Sequence, residues 1–252
     1  MDVVDLREFY DSELGQAVRR LVTKRLAPRF KLASGQTVLG LGYALPYMED
    51  LALGHDRSLA FMMARRGVIH WPLAGDVRAA LVDEYDLPLL ESVADAVIVT
   101  HGLELAEDPL EMLQEIWRVM APQGRLYLVV PNRRGIWSAS EATPFGYGQP
   151  FSRSQILGLL KEARFSVSNW DQALFLPPLK APALIKAGEA MEWPMMRLLG
   201  RFSGVLIVEA MKQVYAFSSG KRARRLVPRL RPVLLPAPQP AGRSHRIDVP
   251  SA

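Results

Sequence analysis

The chain has 252 residues, 49% of them hydrophobic and 23% charged, a balance that supports one sizeable globular core and excludes a disordered or fibrous class. It has no cysteine, which excludes disulfides, thiolate metal sites and a cysteine nucleophile, and fits a reducing compartment. The net charge of +5 is uneven: from Lys221 onward there are eight basic residues against one acid, Asp248, so the part before it carries −2 and the basic character belongs to a tail.

No apolar run approaches the roughly 18 residues of a membrane-spanning helix, and the opening "MDVVDLREFYDSELG" is too acidic and mixed for a secretory leader. A cytoplasmic protein is expected. Residues Leu6 to Leu26 read as one helix, with Leu14, Val18, Leu21 and Val22 forming an apolar stripe and Asp11 or Ser12 as its cap. "QTVLGLG" is a first strand ending at Gly42, and "LPYMEDLAL" a short helix with Pro46 in its first turn. "RSLAFMMA" is a second strand. "GVIHWPLAGDV", broken by Gly67, Pro72 and Gly75, is a loop in which His70–Trp71–Pro72 either covers a pocket mouth or packs on the sheet edge.

"RAALVD" and "ADAVIVT" follow as strands three and four, the latter apolar enough for burial on both faces. "DPLEMLQEIWRVMA" is a helix started by Pro109 and ended by Pro122 and Gly124, and "GRLYLVVPN" is strand five. "SRSQILGLLKEARF" is a helix opened by a Ser152–Gln155 capping box. "FSVSNWDQALFL" and "GVLIVEAMKQVYAF" close the chain as two strands, with an excursion of helical pieces between them, from Pro177 to Phe202. Strands alternate with helices, so the fold class is α/β with a mostly parallel sheet and right-handed crossovers. A ligand site then belongs beyond the carboxyl ends of the strands, around Gly42, Asp83 and Thr100–His101.

The stretch "LVDEYDLPLLESVADAVIVTHGLELAEDPLEMLQEIWRVMAPQGRLYLVVPN" resembles the core of class I S-adenosylmethionine-dependent methyltransferases, the type 11 group. The matching positions are Asp83, Leu87–Pro88, Asp95, "HGLE" at 101–104, Asp108–Pro109, Glu115–Arg118 and Pro122–Gly124. The resemblance spans roughly residues 8–175 in order. It implies a Rossmann-like seven-stranded sheet with a reversed final strand and helices on both faces. The methyltransferase-like domain is expected over 1–219, with 177–203 as a lid or acceptor-site insertion or else a helical cap on the core, and the Pro/Arg-rich composition of 220–252 reads as a disordered tail. The resemblance also implies S-adenosylmethionine as cofactor, held by Gly40, Gly42, Tyr43, Asp83, Glu84, Thr100 and His101, with Asp83 and Glu84 on the adenine side.

The same family usually places an acid and then Gly-x-Gly-x-Gly after strand one. Here the acid position is Gly40, and only the first glycine, Gly42, survives; Ala44 and Pro46 replace the others. The acid that normally ends strand two and binds the ribose is also missing, since Arg57 to Gly75 contains no Asp or Glu. Losing two charge-assisted anchors weakens binding by a factor on the order of 100 if the terms add. Two readings follow: a methyltransferase acting on an unidentified acceptor, or a catalytically inactive relative with a binding or regulatory role.

His101 is the candidate general base, since imidazole titrates near neutrality; the alternative is a packed core histidine. Asp83 is an adenine ligand or a solvated acid. "TPFGYGQPFS" at 143–152 lines an acceptor pocket or forms a compact loop. His55, His70, His101 and His245 lack ligand spacing, so no metal site is expected. The basic stretch 221–246 is a candidate for nucleic-acid or anionic-surface contact, or a solubilising tail.

Overall fold

The computed structural model describes residues 1–52, 57–175, 177–179 and 181–214. The expected boundary at 219/220, the basic tail, His55 and His245 lie outside the described residues. The helices are α1 (Val3–Asp11), α2 (Glu13–Leu26), α3 (Leu45–Leu51), α4 (Pro109–Val119), α5 (Arg153–Glu162) and α6 (Pro182–Leu199). The strands are β1 (Val38–Gly42), β2 (Ser58–Met63), β3 (Ala79–Val82), β4 (Ala94–Thr100), β5 (Met120–Pro131), β6 (Phe165–Ala173) and β7 (Val205–Lys212).

The strands form one seven-stranded sheet in the order β3-β2-β1-β4-β5-β7-β6. β1 to β5 run parallel, and β7 lies antiparallel between β5 and β6. The expected α/β class and reversed final strand are present. Alternation along the central strands feeds a core on each face. Val38, Ile98 and Val129 pack towards α1, α2 and α3. Leu39, Val99, Leu128 and Val208 pack towards α4 and α5. The chain reverses its strand order between β1 and β4, so their carboxyl ends form the switch point at which ligands bind such sheets.

Three expectations need correction. The first helix is two. Ser12 breaks it: its hydroxyl donates to the Phe9 carbonyl (2.6 Å) and accepts from the Gly15 amide (3.1 Å), closing α1 and opening α2. Gly15 permits the corner, because a Cβ there would sit 1.9 Å from the Phe9 carbonyl oxygen. The excursion is a single 18-residue helix, α6, with Pro194 inside it. Its buried Glu192 accepts from the Leu174 and Phe175 amides (2.7 and 3.1 Å), which pins α6 to the end of β6. Finally, α4 stops at Val119 and β5 starts at once, so Pro122 and Gly124 lie in the strand rather than ending the helix.

The Glu115–Arg118 pair of the sequence motif is a structural clamp. Glu115 accepts from the Leu87 amide (2.7 Å) and pairs with Arg118 (2.6 Å), while Arg118 donates to the Leu87 and Leu89 carbonyls (3.0 and 2.9 Å). The clamp fixes the loop after β3 against α4. Glu115→Ala leaves the buried Leu87 amide without its acceptor and Arg118 without its carboxylate, and should lower unfolding free energy by about 2–3 kcal/mol in urea titration.

Candidate functional site at the tips of β1 and β4

The tip of β1 ends at Gly42, whose φ of +83° suits glycine. A Cβ there would lie 2.4 Å from the Thr100 carbonyl oxygen. Gly42 is in register with Thr100, and the Tyr43 amide donates to the Thr100 carbonyl at 2.7 Å. The backbones of β1 and β4 therefore close directly on each other here. Gly42, Tyr43, Thr100 and His101 do come together as expected.

Gly40 lies two residues back along β1. A Cβ on it would stand 2.1 Å from the Met48 sulfur and 3.1 Å from the Ala44 Cβ. Met48 is fully buried on α3. The carboxylate is thus not merely absent from this position; its space is taken by a thioether.

The room in front of the strand tips is filled by rings. Tyr10, reaching in from α1, stacks on Tyr43 (5.8 Å between ring centres) and meets Tyr47 edge-on (6.0 Å). His101 packs against Tyr10 (5.8 Å) and Phe145 (4.8 Å), and Phe145 against Trp137 (5.6 Å). Phe145, in the 143–152 stretch read either as a pocket lining or as a compact loop, is one of these buried rings. Trp71 joins the same core, so the His70–Trp71–Pro72 loop packs rather than covers. Beside Gly42 and His101 the cavity measures about 10 Å³, the space of one water.

This ring cluster is polar inside. The Tyr10 hydroxyl is 2.9 Å from the Tyr47 hydroxyl and 2.9 Å from His101 Nε2. On the other side of the imidazole, Nδ1 lies 3.5 Å from the Glu104 carboxylate. Tyr10, His101 and Glu104 are each 3% exposed or less. Neither Glu104 oxygen has a hydrogen-bond partner among the described residues, nor has the Thr100 hydroxyl. His101 itself holds φ +51°, a left-handed conformation costing about 1–2 kcal/mol in a non-glycine residue. Burial, then the neighbouring phenol, raise the Tyr10 pKa well above its ordinary value; burial does the same for Tyr43 and Tyr47.

Asp83 and Glu84 follow the end of β3. β3 is two strands from β1, about 10 Å away at normal strand spacing. Asp83 is exposed and its carboxylate accepts from the Tyr85 amide (2.9 Å); Glu84 is buried at 8% exposure. Neither lines the small cavity beside Gly42. Beyond the end of β2, Arg65 pairs with Glu107 of the loop after β4. Among the described residues no group of three His, Asp or Glu is placed to hold a metal, and no helix is long and apolar enough to cross a membrane.

As arranged, these residues do not accommodate S-adenosylmethionine. Both family carboxylate positions are lost, the β1 one to packing, and the crevice holds aromatic side chains in place of the several hundred cubic ångströms a cofactor of that size takes up. Sequence reasoning found Gly42, Thr100 and His101, but missed Tyr10, Tyr47 and Glu104, although Glu104 stood within the quoted "HGLE".

Comparison with known proteins places this site in context. The family model described as "Methyltransferase domain" matches residues 39–128. No curated protein matches the chain. Among solved structures, a S-adenosylmethionine-dependent methyltransferase from Thermotoga maritima is similar at TM-score 0.54 and 14% identity, covering 84% of this chain and 96% of that one. A chain from the complex with the Haloferax volcanii Trm112 methyltransferase activator aligns at TM-score 0.56 and 20% identity, covering 84% and 98%. A methyltransferase from Aquifex aeolicus aligns at 0.53 and 15%, covering 84% and 100%. At these identities the likeness concerns the fold.

Two predictions follow from the ring cluster. Tyr10→Phe removes a hydroxyl that answers both Tyr47 and His101, and should cost about 1–3 kcal/mol by urea denaturation. The raised tyrosine pKa values mean that the unfolded chain releases protons above pH 10 while the folded chain keeps them. Stability from this source is complete below pH 10 and falls as pH rises beyond it. The melting temperature should drop between about pH 10 and 11, and Tyr47→Phe should shallow that slope.

Proposed function

We propose that this chain, which carries a methyltransferase domain of the class I fold, is a methyltransferase held closed by its own N-terminal helix. On this reading S-adenosylmethionine is admitted only when α1 and Tyr10 leave the tips of β1 and β4. The supporting observation is the Tyr10–His101–Glu104 chain. A crevice converted wholly to packing gains nothing from a buried carboxylate without hydrogen bonds, which costs free energy where an apolar residue would not. Its presence beside a strained His101 at the switch point fits a working centre. His101 Nε2, once parted from the Tyr10 hydroxyl, is the group that takes a proton from an acceptor, and Glu104 steadies the imidazolium.

The acceptor side is assigned to the 177–203 insertion. α6 and α2 enclose an apolar cavity of about 210 Å³ lined by Val18, Leu21, Leu174, Ile185 and Trp137, with the Glu192 carboxylate at its wall. Trp137 and Phe145 stand between that cavity and His101.

Closure has a thermodynamic consequence. α1 buries Val3, Leu6 and Tyr10, and each fully buried apolar side chain contributes about 1.5–3 kcal/mol. If opening costs about 4 kcal/mol net, apparent affinity falls by a factor on the order of 1,000. A second reading, a non-catalytic protein of the same fold, is favoured by Met48 occupying the acid position at Gly40.

Calorimetry separates the two. S-adenosylmethionine and S-adenosylhomocysteine should bind the native chain no tighter than high micromolar, and Tyr10→Ala should bind at least tenfold tighter. No heat with either protein at millimolar ligand would leave the non-catalytic reading standing.

A further inference from the structure

A second groove lies on the other half of the sheet, past β5, and it is cationic. It measures about 720 Å³, within the roughly 300–1,000 Å³ of small-molecule sites. Arg134 enters it from the loop after β5, Arg153 from the first residue of α5 and Arg201 from the turn after α6. Trp170 of β6 forms a wall, and Arg153 lies over its ring at 4.7 Å. Leu157 and Met196 add apolar surface.

Six arginines among the described residues are neutralised by ion pairs: Arg19, Arg20, Arg29, Arg65, Arg118 and Arg125 each meet a carboxylate. Among the described residues Arg134, Arg153 and Arg201 are in no ion pair. The groove's one acid, Asp171, is turned to Arg29 at 2.8 Å. Three guanidiniums from separate elements thus converge on one concavity, on a body whose net charge up to Gly220 is −2. Like charges brought together destabilise the fold unless an anion answers them.

We propose that this groove binds a diphosphate group. Guanidinium forks match phosphate oxygens bidentately. Three positive charges exceed the roughly −2 of a single phosphate at neutral pH, and a diphosphate comes closer to balance. The group arrives either as inorganic pyrophosphate or on an organic ester, whose body would rest against Trp170, Leu157 and Met196. The site is separate from the crevice at β1 and β4 and does not depend on methyl transfer.

Full-length protein is titrated calorimetrically at low salt with inorganic pyrophosphate, ADP and inorganic phosphate. Pyrophosphate and ADP should bind one to one, at least tenfold tighter than phosphate. Arg134→Gln and Arg201→Gln, both at exposed positions, should each weaken them by tenfold or more with an unchanged melting temperature. Arg224→Gln/Arg225→Gln in the basic tail should change affinity less than twofold. ADP binding tighter than pyrophosphate assigns an organic ester, and equal affinity assigns the inorganic ion. No binding, phosphate binding as tight as pyrophosphate, or loss with the tail variant but not the groove variants would overturn the proposal.

Discussion

The hydroxyl of Tyr10 lies 2.9 Å from Tyr47 and 2.9 Å from His101, and so ties α1 to α3 and to the tip of β4 at once. Around this bridge the rest of the site is arranged. Tyr43 stacks on the Tyr10 ring, Phe145 packs on His101, and the loop joining β1 to α3 bends over Gly40 so that Met48 can reach it. Remove the bridge and a buried histidine and a buried tyrosine each lose a hydrogen-bond partner. The arrangement is therefore cooperative: α1, α3 and the β4 tip hold together or open together.

Buried polar networks of this kind are costly to keep unless something uses them. Glu104 has no hydrogen bond from the described residues, and His101 holds a left-handed backbone to stay beside it. Packing alone explains Met48 over Gly40, where an apolar contact replaces a carboxylate. It does not explain Glu104. The two neighbouring positions point in different directions: Met48 takes the room beside Gly40, while Glu104 stands beside His101 without a hydrogen bond from the described residues. The opening proposed above reconciles them, since the shut crevice keeps His101 and Glu104 buried.

The architecture was legible from the sequence because strands buried on both faces read as continuous apolar runs, as "ADAVIVT" does, and because Ser152 and Gln155 spell a helix start. The break at Ser12 was legible too, in "DSELG", but the apolar stripe running through it hides the corner that Gly15 allows. Half of the site followed from Gly42, Thr100 and His101, which end adjacent strands. Tyr10 could not be read: it meets His101 across 91 positions, through the path of α1, and nothing local to "REFYD" marks it. Asp83 keeps its motif position just after β3, two strands from β1, as the order of the sheet sets it. The three arginines of the second groove are likewise ordinary surface residues until the fold gathers them.

Whether α1 really closes the crevice in solution is answered most directly by amide hydrogen exchange, read residue by residue over Val3–Asp11 and Tyr43. With the helix docked on the strand tips, these amides should exchange slowly, in the range of the β1 and β4 amides, and α1 should speed up when S-adenosylhomocysteine is added at saturating concentration. Free exchange of α1 at unprotected rates in the ligand-free protein would contradict the closed crevice.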